Sequence, residues 1–225
     1  MTFIHAAYYN YVMDPSRKVA ARFLAGGLLF ALLVSAAPGC GKNPAPAETI
    51  PPADYQTFAD AYGLFDISFP PDWVPAVSDI GIWDEAAREI ISSFGSGDPV
   101  QTSHIVFYAG IATETGFLPS VNIVVQGLLK PYSLDELTEA EIRGYGIIYG
   151  DFSQLSLTKT VVDGREAAIV EFEATPPHAD RRHYIQMFVL ERNFVWVVGC
   201  ASAPDEAARW EKDFQSIIRS LHIYK

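Results

Sequence analysis

Residues 183–201, HYIQMFVLERNFVWVVGCA, hold the pattern that decides the fold. Two runs, His183–Leu190 and Phe194–Ala201, are rich in β-branched and aromatic residues and flank a short polar turn, which predicts a hairpin. Both faces of each predicted strand are apolar, and such strands are covered on both sides. Cys200 lies in the second run and is predicted to be a buried, unpaired thiol that packs as a small hydrophobe.

Turn and capping signals predict further elements on the N-terminal side of this hairpin. Asp163-Gly164 joins two more strands, because Asp-Gly is a strong signal for a tight hairpin turn. Ser133 and Glu136 form a capping box that begins a helix, which is predicted to run to about Ile142, before Gly144 and Gly146. The remaining predicted elements are strands at Tyr55–Ala61, Leu64–Phe69, Thr102–Ala112, Ser120–Gly127, Leu155–Val162 and Glu166–Ala174, and helices at Trp83–Phe94 and Pro204–Leu221.

These elements predict the α+β class. We expect one antiparallel sheet of about six to eight strands, with helices packed on its faces. The aromatic side chains are expected mainly to fill the core between sheet and helices, although they could also line a small-molecule cleft. They are Trp73, Trp83, Tyr145, Tyr149 and Trp196.

The N-terminal segment is typical of an export signal. A basic start at Arg17, Lys18 and Arg22 precedes an apolar run of about 15 residues, which is short for a membrane span. The run ends in Ser-Ala-Ala-Pro-Gly-Cys, with a small residue before Cys40, and this resembles the lipobox of bacterial lipoproteins. We therefore expect lipidation at Cys40, and Met13 is the expected true start; an uncleaved anchor and an ordinary signal cut after Ala37 are the alternatives.

This interpretation divides the chain into three parts. Residues 1–39 are the signal, residues 40–54 are a lipidated cysteine and a spacer that contains four prolines after it, and residues 55–225 are one folded domain. A proline-rich spacer stays extended and separates a domain from its anchor. The expected location is the cell membrane, with the lipid-anchored domain on the extracytoplasmic side.

Charge excludes some classes of partner. The chain has 16 bases and 27 acids, of which three bases and one acid precede Cys40, so the part from Cys40 onward carries a balance of −13. Such a surface repels phosphate backbones, and we expect no nucleic-acid partner. It also argues against broad adhesion to anionic lipid, so the membrane is an expected partner through the lipid anchor rather than through charge.

Several motifs together resemble the PsbP-like superfamily. They are Phe65-Asp66-Ile67-Ser68-Phe69-Pro70 with Asp72-Trp73, the Asp163-Gly164-Arg165-Glu166-Ala167 hairpin, and the Phe214–Leu221 ending. The resemblance covers most of residues 55–225. It implies an α-β-α sandwich around an antiparallel sheet. Members of this superfamily are known as binding or assembly proteins rather than catalysts, and many are bacterial lipoproteins of unknown role. The resemblance carries over no functional residue and no cofactor.

Two stretches are candidate functional sites. His178, Asp180 and His183 could approach one metal ion, but Arg181 and Arg182 among them would repel a cation, so we expect no metal site and prefer a solvated loop as the explanation of these charges. Between a helix and a strand, residues 144–151 (GYGIIYGD) form an apolar, glycine-rich connection. This connection is a candidate docking loop or flap through Tyr145, Ile147, Ile148 and Tyr149; the alternative is a connection that packs onto the domain.

Three function classes follow. The preferred class is a non-catalytic interaction or assembly module of the cell envelope, which would bind an envelope or membrane protein through an exposed apolar surface. A tethered binder of a small ligand would instead show an enclosed pocket between sheet and helix. An enzyme is the third class, although the sequence holds no phosphate loop, nucleophile elbow or zinc spacing.

Overall fold

The computed structural model describes residues 51–75, 103–113, 116–128, 130–177 and 179–224. The predicted helix at Trp83–Phe94, Trp83 itself and the signal with Cys40 lie outside the described residues. The described strands are β1 (Gln56–Ala59), β2 (Phe65–Phe69), β3 (Val74–Pro75), β4 (Ser103–Thr113), β5 (Gly116–Gly127), β6 (Ser153–Val162), β7 (Arg165–Ala174), β8 (Arg182–Glu191), β9 (Phe194–Ser202) and β10 (His222–Ile223). The described helices are α1 (Leu134–Ile148) and α2 (Ala207–Arg219), and a 3₁₀ turn at Pro204–Glu206 precedes α2.

Seven of these strands form one antiparallel sheet in the order β3-β4-β5-β9-β8-β7-β6. The hairpin predicted from residues 183–201 is its centre, and every residue of β9 is buried, which confirms the prediction of strands covered on both faces. The second predicted hairpin is also confirmed. Asp163 and Gly164 both have positive φ angles, 51° and 73°, as a tight two-residue turn requires.

The two faces of the sheet carry separate apolar layers. One layer packs under α1 and includes Tyr145, Val170 and Phe188. The other packs under α2 and the small sheet β1-β2-β10, and it includes Trp196 and Phe214. The arrangement of helix, sheet and helix confirms the α+β class and the expected sandwich. Each fully buried large apolar side chain contributes roughly 1.5–3 kcal/mol to such a core.

Helix α2 follows the apolar stripe predicted for it. Its stripe residues Trp210, Phe214, Ile217 and Ile218 are buried on the sheet. Trp73 packs edge-on against Trp210 and Phe214, with ring centroids 6.0 Å and 6.2 Å apart. Pro70 and Pro71 therefore end β2, and the turn that follows them places the Trp73 indole in the core.

Helix α1 departs from the sequence prediction. It begins at the expected capping box, in which Ser133 accepts the amide N–H of Glu136 and Glu136 accepts the amide N–H of Ser133. It ends at Ile148 rather than near Ile142, so the prediction of a helix that frays at its glycines was wrong. The aromatic packing of Tyr145, one turn beyond the predicted end, outweighs the cost of about 1 kcal/mol that a glycine brings to a helix.

Strand β10 was not predicted. Its two residues pair with β2 and complete the three-stranded sheet. A two-residue strand carries no alternation that a sequence pattern could show.

Candidate docking surface at the edge strand β6

The predicted metal ligands are not brought together by the part of the chain that the structure describes. His178 lies outside that part, Asp180 is exposed, and His183 is buried with its Nε2 3.4 Å from Glu171 Oε1. Arg181 donates to carboxylates of Asp151 and Glu173. Among the described residues, no three His, Cys, Asp or Glu side chains converge on one point.

The four residues of the candidate docking loop lie on helix α1 and its C-cap. Tyr145 and Tyr149 are buried, and the Tyr145 ring stacks on Phe172 at 5.0 Å between centroids. Ile147 is 77% exposed, whereas Ile148 is half-buried. The segment is therefore a helix end that packs on the sheet, as the alternative interpretation described, and Ile147 is the one of the four that stands out into solvent.

A polar row under α1 occupies the place where a ligand pocket was considered. Tyr145 donates from its hydroxyl to Gln186 Oε1 at 2.6 Å. The side-chain amides of Asn122 and Gln186 pack directly against Gly199. A Cβ placed on this glycine would lie 3.1 Å from Asn122 Oδ1 and 3.4 Å from Gln186 Nε2. Glu141 lies one helical turn before Tyr145, and burial raises the pKa of its carboxyl to about 7.

Ser202, His183 and Glu171 lie on the other face of the sheet, and these are residue types that form catalytic triads. Ser202 is the cross-strand partner of His183, whose ring faces Glu171. The Ser202 hydroxyl is fully buried and makes no hydrogen bond, so no base contacts it. A nucleophile needs both contact with its base and access to substrate. Sequence reasoning did not bring these three residues together, and their geometry does not make a catalytic triad.

Strand β6 carries three of the exposed apolar side chains in the described part of the sheet. Leu155, Leu157 and Val161 are 51%, 45% and 48% exposed. Strand β6 lies at the end of the sheet and pairs only with β7 among the described strands. Its other edge therefore presents backbone amides and carbonyls that pair with no other strand in the described part of the chain.

The register of β6 places its side chains on two different surfaces. Leu157, Lys159 and Val161 lie opposite Val170, Ala168 and Glu166, on the face that carries α1. Thr160 and Val162 point to the opposite face and are buried. A shift in register between Gln154 and Ser156 places a bulge at the start of the strand. The regular part of the edge is thus residues 157–162.

Solved structures show which known fold this architecture matches. The solution structure of cyanobacterial PsbP from Synechocystis sp. PCC 6803 superposes with a TM-score of 0.52 at 12% identity, over 81% of this chain and 99% of that one. LpqN of Mycobacterium tuberculosis, described as involved in cell envelope biogenesis, superposes with a TM-score of 0.50 at 12% identity, over 82% of this chain and 100% of that one. No model of a protein family and no curated protein matches the sequence.

This chain has the PsbP-like fold. The resemblance seen in the sequence is therefore confirmed at the level of the fold. Within the described part of this PsbP-like chain, no helix is long and apolar enough to cross a bilayer.

The cations near β6 of the PsbP-like sheet are held by carboxylates of the same chain. Lys159 Nζ lies 2.6 Å from Asp135 Oδ1 at the start of α1. Arg165 contacts both Asp163 and Glu191, and it also donates to the carbonyl of Ile223 at 3.0 Å. Arg181 contacts Asp151 at 2.6 Å and Glu173 at 3.0 Å.

One carboxylate beside β6 is left without a cation. Glu166 is exposed, lies next to Val161 in the ladder, and forms no ion pair in the ranges that the structure covers. The surface around the apolar edge is therefore net acidic, in keeping with the charge balance of the whole chain.

Proposed function

We propose that this chain is an exported, membrane-tethered, non-catalytic interaction module of the cell envelope. It binds another protein through the exposed edge of β6. The observation that carries the proposal is the long, apolar outer edge of this strand, on which Leu157 and Val161 stand about half exposed. Native sheets usually protect such an edge with proline, with free charges or with a covering segment, because an open edge invites another strand.

Strand β6 has little of this protection. It contains no proline, and its single charged residue, Lys159, is bound to Asp135. Its bulge lies at one end and leaves residues 157–162 regular. A surface that is costly to expose and is nevertheless kept open is best explained by a partner that covers it.

The sequence before the domain supports the tether. A basic start, a short apolar run and Cys40 after a glycine suit an exported protein that is lipidated at sulfur. The proline-rich spacer that follows would hold the domain away from the bilayer. LpqN, which shares the fold, is described as involved in cell envelope biogenesis, and this agrees with an envelope role here.

The proposal of a non-catalytic role rests on the polar groups of the sheet. The Ser202 hydroxyl has no base, and the Tyr145–Gln186 pair is satisfied and buried under α1. Both arrangements serve the core rather than a reaction, because a catalytic group must be within reach of a substrate.

The test is affinity capture of the tethered protein from its own membranes, with Leu157→Lys compared against wild type. A lysine on the open edge is expected to remove the captured partner, because an added charge blocks strand pairing. Val74→Lys is the matched control: Val74 is 53% exposed and lies on β3, at the other end of the same sheet. Equal capture by wild type and Leu157→Lys would contradict the docking surface.

Mass spectrometry of the native protein tests the tether separately. We expect the mature chain to begin at Cys40 and to carry acyl chains on its sulfur and amino group. An unmodified Cys40 within an intact N-terminal segment would contradict lipidation, and it would leave the β6 result unaffected.

A further inference from the structure

We propose that the partner of β6 is an extended segment with alternating apolar side chains and at least one Lys or Arg, which adds to the sheet as an eighth strand. This inference rests on the proposed function, because it names the chemistry of what the β6 edge binds. It is argued from the pattern of side chains along β6, from the charges beside it, and from the geometry of the alternative in which two copies pair.

The pattern along β6 determines the apolar character of the partner. On the α1 face, exposed Leu157 and Val161 flank Lys159, whose ammonium is drawn to Asp135. A strand added to this edge would place alternate side chains beside Leu157 and Val161. Apolar residues at those positions bury the exposed Leu and Val surface, and the added backbone satisfies the open amides and carbonyls.

The charges beside β6 determine the sign of the charge that we expect on the partner. Lys159, Arg165 and Arg181 are each bound by carboxylates of this chain, so none is left for an acidic partner. Glu166 is exposed and forms no ion pair with any of the described residues. An added strand lies two strand spacings from Glu166, about 10 Å, and a long Lys or Arg side chain on it crosses most of that distance over Val161.

A second copy of this chain fits the edge less well. A symmetric antiparallel pair centred within residues 158–160 would place the two Lys159 side chains directly opposite or diagonal to each other on one face. Each lysine would have to stay paired with Asp135 of its own chain for the two ammonium groups not to repel each other, so the pairing gains no attraction from these side chains. Each copy also carries the acidic surplus seen in the sequence, so the two domains repel each other at low salt.

The direct test measures binding of two short, labelled peptides to the purified full-length protein by fluorescence anisotropy. The basic probe is capped Arg-Thr-Val-Thr-Val-Thr-Val-Thr-Arg, whose first and last valines are spaced to lie beside Leu157 and Val161, and its twin has Glu in place of both Arg residues. We expect the basic peptide to bind at least fivefold more tightly than its twin, and this difference should shrink as salt is raised. Equal affinity for the two peptides, or no binding of either up to millimolar concentration, would overturn the inference.

Variants locate the binding on the strand. Leu157→Lys is expected to weaken binding of the basic peptide at least tenfold, and Val74→Lys to leave it unchanged. Glu166→Lys should weaken it about three- to tenfold, whereas Glu211→Lys, an equal change of charge at an exposed position on α2, should not. Thermal unfolding of each variant checks that the fold is retained. Loss of binding in the two control variants as well would place the peptide elsewhere and overturn the inference.

The outcomes separate this inference from the proposed function. If Leu157→Lys abolishes capture of the native partner while neither peptide binds, β6 is the docking surface but the partner does not add as a basic strand. If sedimentation equilibrium shows a wild-type dimer that Leu157→Lys dissociates, the occupant is a second copy, and the inference is overturned.

Discussion

At the scale of single residues, the ionisation of Glu141 is expected to make the stability of the protein depend on pH. Glu141 lies on helix α1, and burial raises the pKa of its carboxyl from 4.5 to about 7. Its negative charge also raises the pKa of Tyr145, after the larger effect of burial. Between about pH 4.5 and 7, the folded protein therefore keeps a proton that the unfolded chain has released.

This difference predicts how stability changes with pH. Because the folded state binds more protons over that interval, its free energy of unfolding falls as pH rises from 4.5 to 7. Replacing Glu141 with Gln removes the ionisable group, so the variant should gain about 1–2 kcal/mol on the wild type across the interval. Urea unfolding of both proteins at several pH values measures this gain. Glu139→Gln, at an exposed position of the same helix, is the control, and a gap that does not change with pH would contradict the assignment.

Asp163 is the second residue whose contacts make a clear prediction. Its carboxylate accepts the amide N–H of Ile223 at 3.0 Å, lies 2.6 Å from His222 Nδ1, and contacts the Arg165 guanidinium. Asn tolerates the positive φ of this turn, so Asp163→Asn keeps the backbone while it removes the charge and one of the two acceptor oxygens. We expect a loss of about 1–3 kcal/mol in urea unfolding. Asp205→Asn, which is exposed near the start of α2, should change stability little; equal effects of the two would show that the contacts of Asp163 contribute nothing.

At the scale of elements, the hairpins, the capping box and the α2 stripe could be predicted because their signals are local. Asp163-Gly164 fixes a turn through two positive φ angles, and Ser133 with Glu136 fixes a helix start. The extension of α1 through Gly146 depended on contacts with Phe172 and Gln186, which are distant in sequence. The open edge of β6 could not be predicted either, because its exposure depends on strand order, and a sequence pattern does not give that order.

The corrected length of α1 has a direct test in Gly146→Ala. The helix includes Gly146, and a Cβ there would meet no atom within 4 Å. Alanine is expected to stabilise the protein by about 0.5–1 kcal/mol, since it restricts the unfolded chain and favours the helix. Gly164→Ala is the contrasting control, because its φ of 73° strains any residue with a side chain and should make that variant less stable. A neutral or destabilising Gly146→Ala would instead support a loop at this position.

At the scale of the whole molecule, the tether and the docking edge are separate devices in different parts of the chain. The proposed anchor is Cys40, whereas the proposed docking edge is β6, more than a hundred residues later. Holding the domain at a membrane raises its effective concentration toward any partner in the same membrane, without adding a contact. A change to the anchor alone should therefore remove membrane attachment but not partner binding, and a change to the edge alone should do the reverse.

A pair of variants tests that independence. Replacing residues 1–40 with an ordinary cleavable secretory signal, which leaves neither the apolar run nor Cys40, is expected to move the protein from the membrane fraction to the aqueous fraction, to keep its unfolding temperature, and still to allow capture of the partner from a detergent extract. Leu157→Lys is expected to stay with the membrane and to lose the partner under the same conditions. Fractionation and capture are measured on both variants and on their double mutant, which should show both losses. If the variant without residues 1–40 also lost the partner in detergent, the anchor would belong to the binding surface itself, and a simple tether would no longer account for the molecule.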